Sequence, residues 1–300
     1  MHIESMTKSI EDFSEILQRE EPLSTYTWLR LGGPAEFLFT PSTEDQLLDL
    51  LRFCLAEQMP VRILGGGSNL LVSDDGVRGA VVRVVEPLLS QVAMDGTLLT
   101  AGGGTLLSHV VSESVRSQLA GLETLVGIPG TVGGAILGNT GGRHGDVGEL
   151  VESVTVLDRE GNIVERSGDE LSFSYRRSGL TDVLVLSAKF SLTADPSDEL
   201  TRRMRQNWIM KRATQPLADQ SAGCIFRNPR GLSAGALIEQ CGLKGMSVGE
   251  ARISDRHANF VVTESGATCQ DVDQLISRIQ SAVSEKFGVN LELEICRWGS

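Results

Sequence analysis

The sequence predicts a mixed α+β protein: two small lobes, about 23–86 and 87–194, then an α/β domain over 195–300. Three observations predict it. Gly65-Gly-Gly-Ser-Asn69 follows an apolar run, Val61 to Leu64, at the end of an expected strand. Gly121 to Gly142 holds eight glycines in twenty-two residues, with Leu122, Leu125, Val126, Ile128, Val132, Ala135, Ile136 and Leu137 threaded between them, which no flexible linker would carry. Composition then turns polar at Thr193-Ala-Asp-Pro-Ser-Asp-Glu199, the expected domain boundary.

In chain order, Ile10, Phe13, Ile16 and Leu17 recur at helical spacing among acidic residues, so residues 8–19 are expected to form an amphipathic helix within an N-terminal helical extension, 1–22. Phe37 to Phe39 predict a strand. Thr43 and Gln46 stand at capping-box spacing before Leu47, Leu50, Leu51, Cys54 and Leu55, a helix that stops near Met59-Pro60. Val61 to Leu64 and Val81 to Val85 complete the first lobe. The second opens with strands near Val92 and Leu98, and Gly102-Gly-Gly-Thr105 is expected to start a helix running to about Leu119. Val151 to Leu157 and Ile163 to Glu165 flank Asp158-Arg-Glu-Gly-Asn162 as a hairpin, and Val183 to Phe190 is a further strand. Beyond the boundary come helices at 200–214, 234–240 and 270–287, a strand at 260–263 and a last strand from Val289.

Three hundred residues with 41% hydrophobic content can bury real cores. A net charge of −12 argues against nucleic acid or an anionic membrane as bulk partner, so a phosphate-bearing ligand must meet locally placed Arg and Lys. The chain has no run of eighteen apolar residues and no basic-then-apolar start, which predicts a cytoplasmic protein. Cys54, Cys224, Cys241, Cys269 and Cys296 are odd in number and lack a CxxC pair, so free thiols are expected. His2, His109, His144 and His257 form no HExxH, and no metal site is expected.

Glycine lets main chain approach a ligand and adopt positive φ, while Pro129 stiffens its turn, so successive N–H groups can converge on an anion. Taken alone, the central stretch has a second reading as a tight strand-to-helix corner with no ligand. Two such loops point to a dinucleotide. Gly102 to Thr105 reads equally as a third anion site or as a capped turn.

Gly65-Gly-Gly-Ser-Asn69, Gly127-Ile-Pro-Gly-Thr-Val-Gly-Gly134 with Asn139, Tyr175-Arg-Arg-Ser178, Ser221-Ala-Gly-Cys-Ile-Phe-Arg-Asn-Pro229, Arg256-His-Ala-Asn-Phe260 and Leu293-Glu-Ile295 stand in the order found in bacterial UDP-N-acetylenolpyruvoylglucosamine reductases. From about Thr25 onward the chain resembles that family. The resemblance implies a two-lobed FAD-binding domain of the p-cresol methylhydroxylase and vanillyl-alcohol oxidase kind, followed by a substrate-binding domain. The short segment after Tyr175 makes the chain similar to the family's second type, without an extra tyrosine-bearing loop. The implied reaction reduces the enolpyruvyl ether of a UDP-sugar to a lactyl ether, a step of peptidoglycan precursor and hence cell-wall synthesis. NADPH is the implied reductant and non-covalent FAD the implied cofactor. No separate nicotinamide fold is visible, so NADPH and substrate are expected to compete for one pocket of a monomer.

By the same resemblance, Gly65, Gly66, Gly67, Ser68, Asn69, Gly104, Gly127, Ile128, Pro129, Gly130, Thr131, Gly133, Gly134, Asn139 and Gly141 would meet FAD. Tyr175, Arg212, Gln215, Arg227, Asn228, His257 and Asn259 would meet the substrate. Arg176, Cys224 and Glu294 would be catalytic. Arg176 is permanently cationic and can grip a carboxylate bidentately where negative charge develops. Glu294 would orient or protonate that carboxylate, which needs a raised pKa. Many relatives carry serine where Cys224 stands, and a thiol keeps a transferable proton there. Taken alone, Arg176 reads as a structural ion pair, Glu294 as the solvated face of an alternating strand, Cys224 as a small buried hydrophobe and His257 as a core or capping histidine. Gly142-Arg-His-Gly-Asp146 departs from many relatives, which place an aromatic residue and Gly before the acidic one, so the local cover over a flavin is expected to differ. Two other functions compete: a flavoenzyme with FAD tethered to His144 or His109, and a binding module without turnover.

Overall fold

The computed structural model describes residues 8–142 and 144–299. His2 and Arg143 lie outside the described residues.

Residues 8–19 are not one helix. Ile10–Ile16 forms a 3-10 helix that drives Phe13 edge-on against Phe39, ring centroids 6.4 Å apart. The chain then turns extended as β1, Leu17–Pro22, which pairs antiparallel with β2, Pro34–Phe39. Strand β1 is a mostly exposed edge, so its side chains carry no period-two signal and its ladder to β2 holds it extended. The helix α1, Glu44–Ala56, begins at Thr43, whose hydroxyl accepts from Gln46 N. The Gln46 side chain answers Ser42 rather than Thr43, so the capping box is shifted by one residue. Strands β3, Val61–Leu64, β4, Leu70–Val72, and β5, Val77–Arg83, follow, and the first sheet runs β1-β2-β5-β3 with β5 parallel to both neighbours.

Strands β6, Val92–Asp95, and β7, Leu98–Gly102, lead into α2, Leu107–Arg116. The helix starts later than expected because the N–H groups of Gly102, Gly103, Gly104 and Thr105 are all taken by backbone carbonyls, those of Gln91, Leu186, Leu89 and Gly102. The central stretch forms a 3-10 turn, Leu122–Leu125, and a short helix α3, Val132–Leu137, capped by Thr131. Strands β8, Val151–Leu157, β9, Ile163–Ser167, and β10, Leu184–Ser191, complete an antiparallel sheet in the order β9-β8-β10-β7-β6. Leu157, Leu184 and Leu186 of this sheet join the core made by Phe13, Phe39 and α1, so the two lobes share apolar packing.

After α4, Asp198–Thr214, a third sheet is built from β11, Gln220–Cys224, the pair Ser247–Val248, β12, Ala251–Ile253, and β13, Phe260–Thr263, backed by α5, Ala234–Gln240, and α6, Cys269–Phe287. Leu29, Leu31 and Leu71 from the first lobe lie in this third core. The strand expected from Val289 is irregular until β14, Cys296–Trp298, which pairs in parallel with β4. The last strand of the third unit therefore pairs within the first, in a two-stranded sheet separate from the first lobe's main sheet.

Candidate functional site

The two principal glycine loops face each other backbone to backbone. A Cβ on Gly65 would stand 2.6 Å from Thr131 Oγ1, one on Gly66 would stand 3.0 Å from Gly130 Cα, and one on Gly130 would stand 3.0 Å from Ser68 Oγ. Ser68 Oγ also donates to Pro129 O at 3.3 Å. Among the described residues, no protein acceptor takes the N–H groups of Gly65, Gly66, Gly67, Ser68, Asn69, Gly127, Gly130 or Thr131. All of these residues but the exposed Asn69 are buried or half-buried, where main-chain donors are rarely left unpaired, and a run of them along two apposed loops is what an anionic diphosphate requires. The cradle thus fits a dinucleotide such as FAD.

Other predicted cofactor residues divide. The N–H groups of Ile128 and Gly133 donate to the carbonyls of Leu125 and Gly103, and that of Gly134 to the Thr131 hydroxyl, so these positions shape the loop rather than offer donors. Gly104 does not form an anion site, for its N–H is held by Leu89 O. Asn139 is buried, and its amide accepts from Gly148 N at 2.9 Å and donates to Ser174 O at 2.8 Å. That residue fastens the loop carrying Arg176, and Gly141 offers its carbonyl to Arg176.

Ser174 and Arg177 exchange backbone hydrogen bonds at 2.9 and 3.0 Å, making a tight turn with Tyr175 and Arg176 at its tip. Arg176 sits at φ +56°, an uncommon conformation for a side-chain-bearing residue. Its guanidinium is held on every side. Nε donates to Glu294 Oε1 and Nη1 to Asp146 Oδ1, each at 2.8 Å, while Nη2 donates to Gly141 O at 2.8 Å and Nη1 reaches Asn139 O at 3.5 Å. Tyr175 lies with its ring 5.0 Å from the guanidinium carbon.

Cys224 arrives from the third sheet. Strand β11 carries one more residue than β13 between Ser221 and Cys224, with Gly223 at φ +78°, a bulge that redirects the strand end. Asn259 secures the next residues: its side chain accepts from Phe226 N at 3.0 Å and donates to Phe226 O at 2.8 Å. Glu294 N donates to Ile225 O at 2.8 Å, and Asn69 Nδ2 donates to Glu294 O at 3.2 Å. One short segment therefore ties the Cys224 strand to the first glycine loop.

The electrostatics follow from this crowding. Burial raises the Glu294 pKa although Arg176 opposes the rise. Burial, then the Glu294 charge, pushes the Cys224 thiol up to about 12, so it holds its proton at neutral pH. Burial disfavours the charge on Arg176, but Glu294, Tyr175 and Asp146 more than compensate. Burial thus moves Glu294 in the expected direction, and Arg176, Cys224 and Glu294 lie within one another's electrostatic reach.

The remaining predicted substrate residues are scattered. Arg227 stands beside Arg176, donating to its carbonyl at 3.4 Å, and its Nε is buried without a partner. Asn228 N donates to Tyr175 Oη at 3.3 Å and its side chain accepts from Ala234 N. Gln215 caps α4, and Arg212 is exposed with its carbonyl accepting from Arg256. His257 packs near α5 and Phe260, and its Nδ1 accepts from Asn259 N; burial, then Lys244, lowers its pKa. This is the capping histidine reading of the sequence. His144 is exposed, and the His109 ring lies 3.0 Å from Glu86 Oε1.

Two residues at the site were not singled out from the sequence for a role. Asp146 pairs with Arg176 across the loop. Lys211 of α4 donates to Val126 O at 2.7 Å, and burial together with the Arg176 charge lowers its pKa to about 8. The acidic end of the Gly142–Asp146 segment was visible, but nothing local marked its partner. Lys211 is one of several cations on a helix with a single fully buried residue, Leu200.

The sequence pattern of the FAD binding domain family matches residues 35–167, and that of the UDP-N-acetylenolpyruvoylglucosamine reductase C-terminal domain matches residues 215–298. UDP-N-acetylenolpyruvoylglucosamine reductase 2 of Symbiobacterium thermophilum is 42% identical over 285 residues, 94% of this chain and 92% of the relative. The chain belongs to the UDP-N-acetylenolpyruvoylglucosamine reductase family. A second member, from Moorella thermoacetica, is 42% identical over 93% of this chain and 92% of its own. The crystal structure of the UDP-N-acetylenolpyruvylglucosamine reductase from Thermus caldophilus superposes with a TM-score of 0.82 at 38% identity, covering 94% of this chain and all of that one. Membership establishes the two-lobed FAD-binding fold with its C-terminal domain, and with it a flavin-dependent oxidoreductase. No helix among the described residues is long and apolar enough to cross a membrane.

Proposed function

We propose that this protein reduces UDP-N-acetyl-3-O-(1-carboxyvinyl)-glucosamine to UDP-N-acetylmuramate, with non-covalent FAD as cofactor and NADPH as reductant, acting as a cytoplasmic monomer in peptidoglycan precursor synthesis. The observation that carries this reading is the convergence of Arg176, Glu294 and the Cys224 thiol beside a cradle of unpaired main-chain N–H groups. Residues 23–194 hold FAD and 195–300 bring the sugar nucleotide, with Gly65 to Asn69 and Gly127 to Thr131 around the diphosphate. FAD, when bound, supplies the two-electron exchange between NADPH and the alkene.

The chain's own groups govern charge and protons. Arg176 offers a preorganised cation where charge passes from the alkene into the adjoining carboxylate, and it needs no reorganisation at that moment because Asn139, Gly141 and Asp146 already fix it. Cys224 holds a proton at Sγ for the alkene carbon. A thiol near 12 gives it up only to a strongly basic carbon, which guards against loss to solvent. Glu294 serves the substrate carboxylate beside Arg176. Arg227, with its buried free Nε, is a second cation for an anionic substrate.

Anaerobic spectroscopy tests the reading. NADPH should bleach the flavin of the purified protein, and the enolpyruvyl UDP-sugar should restore its colour. Protein that stays colourless when offered FAD, or flavin that remains bleached with the sugar nucleotide, would overturn it.

A further inference from the structure

Arg176 has five N–H bonds to offer, and its described contacts use at least three of them with good geometry and a fourth at the limit. Two of its acceptors are main-chain carbonyls, fixed by the fold. The other two are carboxylates, so one guanidinium already answers two negative side chains. A substrate carboxylate gripped through two bonds would be a third anion on one cation, and at least one existing bond must open.

The two carboxylates are not equally free. Asp146 lies on a two-residue strand against Gly141–Gly142, and a Cβ on Gly141 would collide with Asp146 Oδ1, so main chain and carboxylate are in direct contact. Glu294 has a longer side chain, bonds Arg176 through Oε1 alone, and is within electrostatic reach of Cys224 and Arg227. The charged and titratable groups facing it are Arg176, Arg227, Asp146 and Cys224, with Lys211 approaching Arg176 from α4 and Glu292 and Arg177 at the rim. Among the described residues only Arg176 bonds both Asp146 and Glu294 directly, so a third unprotonated carboxylate at the guanidinium would share a counter-charge already bonded twice.

We propose that Asp146 is a positioning residue that anchors Arg176, and that the substrate carboxylate displaces Glu294 from Nε while Glu294 takes up one proton from solvent. The inference rests on the proposed substrate. Asp146 matters twice: it keeps the guanidinium aimed when Glu294 leaves, and its charge makes Glu294 the group that must be neutralised. Burial is the largest influence raising the Glu294 pKa, and the Asp146 charge pushes in the same direction. Removing that charge leaves two carboxylates on the guanidinium, as in the free protein, and proton uptake is no longer required.

Calorimetry of the oxidised, flavin-loaded protein tests this. The enolpyruvyl UDP-sugar is titrated at pH 7.5 in phosphate, HEPES and Tris, whose ionisation enthalpies differ. Wild type should take up close to one proton per substrate, and its Kd should weaken towards tenfold per pH unit once the free protein's Glu294 is ionised. Asp146→Asn should take up less than half as much and bind at least tenfold more weakly, with Asp146→Glu restoring both. Binding heat identical in all three buffers overturns the inference alone, and so does unchanged uptake in Asp146→Asn. Absence of binding overturns it together with the proposed substrate. If Asp146→Asn fails to fold, the wild-type buffer series still shows whether a proton enters with the substrate, and heat that does not vary with buffer still overturns the inference.

Discussion

Asn259→Ala separates a residue that clamps the Cys224 strand from one that touches ligand. Its amide meets both backbone groups of Phe226, at 3.0 and 2.8 Å, and both residues are buried, Phe226 completely. Truncation leaves one buried N–H and one buried carbonyl without partners, each costing about 1–3 kcal/mol. Even if water enters and recovers most of this, roughly 2 kcal/mol remains, or about 30-fold in a local opening equilibrium. Hydrogen–deuterium exchange on ligand-free protein reads this directly. Amides of 224–226 should exchange about 30-fold faster in the variant while those of 107–116 are unchanged. Exchange within about threefold of wild type, together with lost substrate binding, would refute the clamp and return Asn259 to the ligand.

Cys224→Ala should leave flavin reduction by NADPH intact and slow recolouring by the sugar nucleotide by about 10²–10⁴-fold, as expected for loss of a positioned proton donor; stopped-flow spectroscopy follows both half-reactions. Gly66→Ala places a methyl group 3.0 Å from Gly130 Cα. FAD titrated into the apoprotein should bind at least tenfold more weakly, because backbone must move to admit it. Burial raises Cys54 to about 11 and Cys224 and Cys269 to about 12. Each folded thiol keeps a proton that the unfolded chain loses above about pH 8.5, so these groups lower stability as pH rises from there towards 11–12. The thermal midpoint should fall steeply above pH 9, and Cys54→Ala should make that fall shallower whatever it does at pH 7.

What was legible in the sequence was what local chemistry dictates. The helices expected at 234–240 and 270–287 form as Ala234–Gln240 and Cys269–Phe287, where the structure adds the Ser233 and Thr268 caps, and the glycine loops are marked by residues that a close main-chain approach explains. Strand β1 escaped because an exposed edge leaves its polar side chains without alternation. Gly102 to Thr105 looked like a donor cluster, but three of its four N–H groups meet carbonyls of Gln91, Leu186 and Leu89 brought there by sheet assembly, and the fourth closes a turn on Gly102 O. Asn139 and Asn259 stand in ligand-binding motifs yet use their amides on backbone, one beneath Arg176 and the other beside Cys224. The Arg176–Asp146 and Lys211–Val126 pairs were invisible because each depends on loops distant in sequence.

The parallel pairing of β14 with β4 has a consequence for biosynthesis. Asn69 receives Cys296 N on its carbonyl and reaches Glu294 O, 225 positions later in the chain, so the first glycine loop is braced by residues translated near the very end. A ribosome that has released the first two lobes has emitted the whole diphosphate cradle but not its brace. Coenzyme capture should therefore be a late event in the life of the nascent chain, and a transcript cut at residue 194 should yield polypeptide with little hold on its pigment.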